Sequence, residues 1–168
     1  MIRIGYGKAY FPLLIKDKAH YVDRTDYIER LEESGEAFVF FLRPRRFGKS
    51  LWVSILNHYY AIQHADKFDT LFGKYYIGQN PTVYANQYLV LNFDFSGVDS
   101  ENKSTVYQDF FNKTHESVSE FLVDYAVYFT EEEAKKVLAK NSPHTLMSTL
   151  FSLVKQKKNI PRIYLLID

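Results

Sequence analysis

The chain has 168 residues, a net charge of +1 and no cysteine. That length suffices for one domain with a buried core, and an aromatic fraction of 17%, with 14 Phe and 14 Tyr, excludes a disordered chain. The absence of cysteine excludes disulfides, thiolate zinc sites and a cysteine nucleophile. The near-neutral charge gives no global attraction to nucleic acid or to an anionic membrane, so any such preference must come from a local patch.

The start, Met1-Ile2-Arg3-Ile4-Gly5-Tyr6-Gly7-Lys8, has no apolar run of signal-peptide length and reads as irregular. No stretch reaches the roughly 20 apolar residues of a membrane span. A cytoplasmic protein with no membrane partner is expected. Thr25 or Asp26 can cap a short helix with apolar positions Ile28 and Leu31. Asp26 and Glu29 have capping-box spacing, and Ser34-Gly35 ends that helix. Residues 37–42, Ala-Phe-Val-Phe-Phe-Leu, are apolar throughout, which predicts a strand buried on both faces. A turn through Arg43-Pro44-Arg45-Arg46-Phe47-Gly48 leads into a predicted helix over residues 49–62, with Trp52, Ile55, Leu56 and Tyr59 as its apolar stripe.

Residues 63–87, rich in Tyr, Gly, Asn and Pro, read as loop with short structured pieces. A second strand is predicted over residues 88–95, ended by Ser96-Gly97. A long amphipathic helix follows, with Val106, Phe110, Val118, Phe121, Leu122 and Tyr125 near one face. Thr130 and Glu133 form a capping box for the next helix. Ser142-Pro143 starts another, with Lys155, Lys157 and Lys158 at its end, where cations favour the helix dipole. The last run, residues 163–167, is a third apolar strand ending in Asp168. Strand, helix, strand, helices, strand is the order of an α/β layered sheet.

The chemistry sits between the first strand and its helix. Residues 43–50 align with the phosphate-loop pattern G-x-x-x-x-G-K-S/T, with Arg43 in place of the first glycine. Gly48 lets the backbone approach phosphate and turn left-handed. The N–H groups of the loop and the following helix start form an anion nest. Lys49 can reach the β- and γ-phosphates, and the Ser50 hydroxyl can ligate Mg²⁺. A nucleoside triphosphate site also needs an acid at the end of a neighbouring apolar strand, and Asp168 has that position. Lys49 and Asp168 are thus the expected catalytic residues, Ser50 and Asp168 the expected Mg²⁺ residues, in one shared site.

The segment Tyr21-Val22-Asp23-Arg24-Thr25-Asp26-Tyr27-Ile28, then Arg43-Pro44-Arg45-Arg46-Phe47-Gly48-Lys49-Ser50-Leu51, resembles the AAA-ATPase-like domain of bacterial proteins. In that family the loop usually reads R-P-R-R-F-G-K-S/T, so Arg43 is in keeping with it. The strand Tyr88-Leu89-Val90-Leu91-Asn92-Phe93-Asp94-Phe95 is similar as well. The resemblance covers nearly the whole chain as a single domain, 1–168. It implies a P-loop NTPase fold of the additional-strand type, three-layer α/β/α with a mostly parallel sheet. ATP and Mg²⁺ are the implied cofactors, with Arg45, Arg46, Phe47, Gly48, Lys49, Ser50 and Leu51 around the nucleotide. By looser analogy Asp23 lies near the adenine.

Family members often carry a C-terminal domain resembling PD-(D/E)XK nucleases, which would add nucleic acid as a partner. They also continue past the Mg²⁺-associated Asp with a water-positioning acid and a strand that lies between the first and third. Residues 1–168 are therefore expected to be incomplete at the C-terminus, to bind nucleotide and to hydrolyse it poorly. The alternatives are a non-hydrolysing nucleotide- or nucleic-acid-binding module, or an inactive truncated product. The histidines show no metal-ligand spacing, Trp52 reads as core, and Asp94 reads as a polar strand end.

Overall fold

The phenylalanines and tyrosines that exclude disorder are the residues that hold the first part of the chain together. The computed structural model describes residues 5, 7–98 and 105–168, and divides into two units, residues 1–87 and 88–168. The irregular segment expected at the very start falls largely outside the described residues.

The first unit is helical. Its elements are α1 (Phe11–Lys16), α2 (Asp26–Glu33), α3 (Lys49–Tyr60), a 3₁₀ turn (Ile62–Lys67), α4 (Phe68–Phe72) and α5 (Tyr76–Gln79). Phe11, Ile28, Tyr59, Phe72 and Ile77 are fully buried, each contributing about 1.5–3 kcal/mol on leaving water. Phe11 stacks on Phe72 with ring centroids 5.2 Å apart, and Tyr59 meets Phe72 edge-on at 5.7 Å. The Phe11 N–H donates to Ser54 Oγ at 3.0 Å, which ties α1 to α3. Helix α2 ends at Ser34 as expected, with Gly35 at φ +64° beyond it. Its start is different from the expected capping box: Thr25 precedes Asp26 without a side-chain cap, Asp26 pairs with Arg30 at 3.2 Å, and Glu29 accepts from Tyr76 Oη.

The strand expected at residues 37–42 is not formed. The segment has no strand partner among the described residues, and apolar side chains alone cannot make a strand without a neighbouring ladder. The expected burial is reversed too. Phe38, Phe40 and Leu42, at alternate positions, are 88%, 87% and 87% exposed. Helix α3 follows the loop as predicted, ending two residues early, and buries Ile55, Leu56 and Tyr59.

The second unit carries the sheet. Strand β1 (Leu89–Phe93) leads through α6 (Val106–Asp124), α7 (Glu131–Leu138) and α8 (Pro143–Gln156) to β2 (Ile163–Ile167). β1 and β2 pair in parallel, Leu89 opposite Ile163 and Phe93 opposite Ile167. Parallel strands require such a crossover, so the class is α/β as the element order predicts. Leu89 and Leu91 are fully buried, whereas Leu165 and Ile167 of β2 are exposed. On the side of β1 away from β2, the Val90 N–H donates to the phenol oxygen of Tyr125 at 2.8 Å, which covers part of an open strand edge. Burial pushes the Tyr125 hydroxyl up to about 12. Both predicted caps of this unit form: Thr130 and Glu133 exchange their two hydrogen bonds, and Ser142 accepts from the Thr145 N–H ahead of Pro143.

Candidate functional site

The loop over residues 43–48 enters α3 through Gly48, which sits at φ +77° as the residue before the first helical turn. A left-handed residue there turns the first free N–H groups of the helix outward, the arrangement that receives an anion. Arg46 is also left-handed, at φ +67°, while Phe47 between them is not. Such alternation of hand points successive N–H groups into one concavity. Arg43 does not take a left-handed conformation. A side chain therefore costs nothing at the position where the general pattern has glycine.

Arg45, Arg46, Phe47, Gly48, Lys49 and Ser50 are all exposed, and Leu51 is half-buried. Among the described residues no carboxylate pairs with Arg43, Arg45, Arg46 or Lys49. Their charges therefore add to a local positive patch on a chain of net charge +1. Arg43 differs from the other three. It is half-buried, and its guanidinium carbon lies 5.3 Å from the centre of the Phe41 ring, which itself stacks on Trp52 of α3. The sequence pattern alone groups Arg43 with the phosphate cations and Trp52 with the core.

Asp23 lies in the same unit as the loop and is fully engaged. One carboxylate oxygen accepts from the Thr25 N–H at 2.9 Å and the Thr25 hydroxyl at 2.8 Å, and the other from the Tyr76 N–H at 2.8 Å. Thr25, fully buried, in turn accepts from the Ile77 N–H at 3.1 Å. Asp168 belongs to the second unit, directly after β2. Its backbone N–H donates to the Phe93 carbonyl at 2.9 Å and its side chain is exposed. Asp94, expected as a polar strand end, accepts from the Ser96 N–H at 2.8 Å, and hydrogen bonds from Ser96 hold its carboxyl below the usual carboxylate range. No group of His and acidic residues able to hold a metal occurs among the described residues.

The sequence profile of the AAA-ATPase-like family, described as predicted AAA-ATPases, matches residues 5–168. The chain belongs to this family. No curated protein and no solved structure matches it. Membership places the loop, Arg43 included, within the matched residues of a family of ATPase-like proteins. No helix among the described residues is long and apolar enough to cross a membrane.

Proposed function

We propose that the chain is a nucleotide-binding P-loop domain that takes ATP with Mg²⁺ and serves ATP hydrolysis. The observation that carries this reading is the exposed cationic loop ending in a left-handed Gly48 at the N-terminus of a 12-residue helix. Backbone N–H groups of the loop receive the phosphates, Lys49 neutralises the β- and γ-phosphate oxygens, and Arg45 and Arg46 add positive charge around them. Phe47 and Leu51 border the same loop. Ser50, in the first unit, supplies a hydroxyl, a hard oxygen donor that suits Mg²⁺, and Asp168 at the end of β2 carries a carboxylate donor of the same kind in the second unit. Each is exposed, and neither side chain has a hydrogen-bond partner among the described residues, so the donor chemistry fits the ion. When bound, Mg²⁺ would neutralise charge on the transferring phosphoryl group. Membership of the AAA-ATPase-like family supports the P-loop NTPase fold and the preference for ATP.

Calorimetric titration with MgATP tests the reading. The unmodified chain binds, and Lys49→Ala loses charge-assisted contacts worth roughly 1.5–3 kcal/mol, or about 10- to 150-fold in affinity. Equal affinity in both proteins would sink it. A second reading has one feature in its favour. Phe47 is exposed between Arg46 and Lys49, and cations flanking an aromatic ring suit a single-stranded nucleic acid. A single-stranded oligonucleotide that binds where MgATP does not, and that Phe47→Ala weakens, would favour it.

A further inference from the structure

We propose that Arg43, Phe41 and Trp52 form a brace that holds the arm before the phosphate loop against the helix after it. Arg43 then acts as a positioning residue and not as a phosphate contact. The proposal rests on the nucleotide reading above and extends it to residues that reading does not use.

The loop leaves an irregular arm, residues 37–42, and enters α3. Among the described residues no hydrogen bond or ion pair joins that arm to the helix. What joins them is a ring pair: Phe41 and Trp52 stack with centroids 6.1 Å apart at 29°. Phe41 is less than half exposed and Val39 about half, where Phe38, Phe40 and Leu42 are almost fully so. Arg43 lies over the Phe41 ring, with its guanidinium carbon 5.3 Å from the ring centre. A guanidinium is planar, weakly hydrated and well suited to an aromatic face, so a cation joins the ring pair. Among the described residues Arg45, Arg46 and Lys49 have no such ring partner, and all three are exposed. The cations of the loop are thus divided in role, three facing outward for the anion and one anchoring the entry arm. Because the stack bridges both ends of residues 42–51, its loss widens the loop and misplaces the N–H groups before any phosphate contact is removed. Small displacements of that kind weaken binding to a preorganised site.

A double-mutant cycle on the full chain separates positioning from contact. Arg43→Gln and Phe41→Leu should each weaken MgATP binding about two- to fivefold, the scale of one exposed cation–π contact. The double variant should lose no more than the larger single loss, because both substitutions break the same stack. Arg43→Lys and Trp52→Phe, which keep a cation and a ring, should restore most of the affinity. Trp52 is the only tryptophan of the chain. Its emission in nucleotide-free protein should therefore shift to the red in Phe41→Leu, a readout independent of nucleotide. Additive losses would show that Arg43 meets phosphate directly and would overturn the proposal, as would unchanged Trp52 emission in Phe41→Leu. If the unmodified chain bound no MgATP while the emission still shifted, the nucleotide reading would fail and the positioning role with it, leaving only the stack.

Discussion

Asp23 offers the sharpest separation of a ligand-binding role from a structural one. Its carboxylate accepts three hydrogen bonds, two from Thr25 and one from the first N–H of α5, and so clasps α5 beside the start of α2. Asp23→Ala removes all three. The Tyr76 N–H lies at an exposed position and can return to water, so its loss is small. The Thr25 hydroxyl is different, because Thr25 is fully buried and its donor would be left without its carboxylate acceptor. An orphaned buried donor costs about 1–3 kcal/mol, and each hydrogen bond to a charged group carries roughly 1.5–3 kcal/mol before rehydration is subtracted. A net loss of about 2–3 kcal/mol follows, which for a chain of this size lowers Tm by about 5–10 °C. Asp23→Asn keeps one acceptor for Thr25 and sets an amide against the Tyr76 N–H, so it should fall between the two. Thermal and urea unfolding give the stability, and MgATP titration gives the binding. Full stability in Asp23→Ala together with lost nucleotide affinity would refute this argument and return Asp23 to the adenine.

Three further outcomes test other parts of the structure. Tyr125→Phe removes the acceptor of the buried Val90 N–H and should destabilise the second unit by about 1–3 kcal/mol, read as a lower urea midpoint; an unchanged midpoint would mean that water replaces the phenol there. Phe40→Lys places a charge in the middle of an exposed apolar arm and should reduce self-association in sedimentation velocity without lowering Tm, because the side chain buries almost nothing. His58 is buried on α3, its Nδ1–H donating to the Ser54 carbonyl at 2.7 Å and its ring stacked 4.3 Å from His64, with the edge of Tyr10 and the charge of Lys67 nearby. Burial pushes its pKa from 6.5 down to about 4, so between those values the unfolded chain holds more protons and stability falls as pH drops. The loss from pH 7 to pH 5 should be about 2 kcal/mol, His64 adding in the same direction, and a His58→Asn variant with the same pH slope would contradict it.

What the sequence made legible was what local chemistry decides. The helix starts at Thr130 and Ser142 are specified by hydroxyls within three residues of the N–H groups they receive, so their pattern is enough. Helix α3 and the left-handed Gly48 are readable for the same reason, and β1 and β2, apolar runs by composition, form because each finds the other as its partner. What escapes depends on partners far away in the chain. Residues 37–42 have a strand's composition, yet a strand is a pairing, and no ladder reaches them among the described residues. Thr25 has the pattern of a helix cap, but its hydroxyl is taken by Asp23 and by Ile77, a contact 52 residues along the chain. The hydrogen bond from the Tyr76 N–H to Asp23 spans 53 residues, and nothing in the sequence neighbours of Asp23 announces it.

The phosphate loop shows both kinds of information in one segment. Its general pattern asks for glycine at two positions, and this chain keeps only the second. The structure accounts for the difference through backbone angles: the left-handed turns fall at Arg46 and Gly48, and position 43 needs none. Gly48 adopts its angle freely, whereas an arginine in the left-handed region costs about 1–2 kcal/mol. That cost at Arg46 could be relieved by glycine, so its persistence needs a compensating contribution from the side chain. An exposed guanidinium with no carboxylate partner among the described residues adds little to the fold by itself. It supplies charge at the mouth of the loop, where an anion would meet it. Arg46 and Arg43 thus stand in unlike settings within one motif, the first left-handed and exposed, the second half-buried with its guanidinium over an aromatic ring.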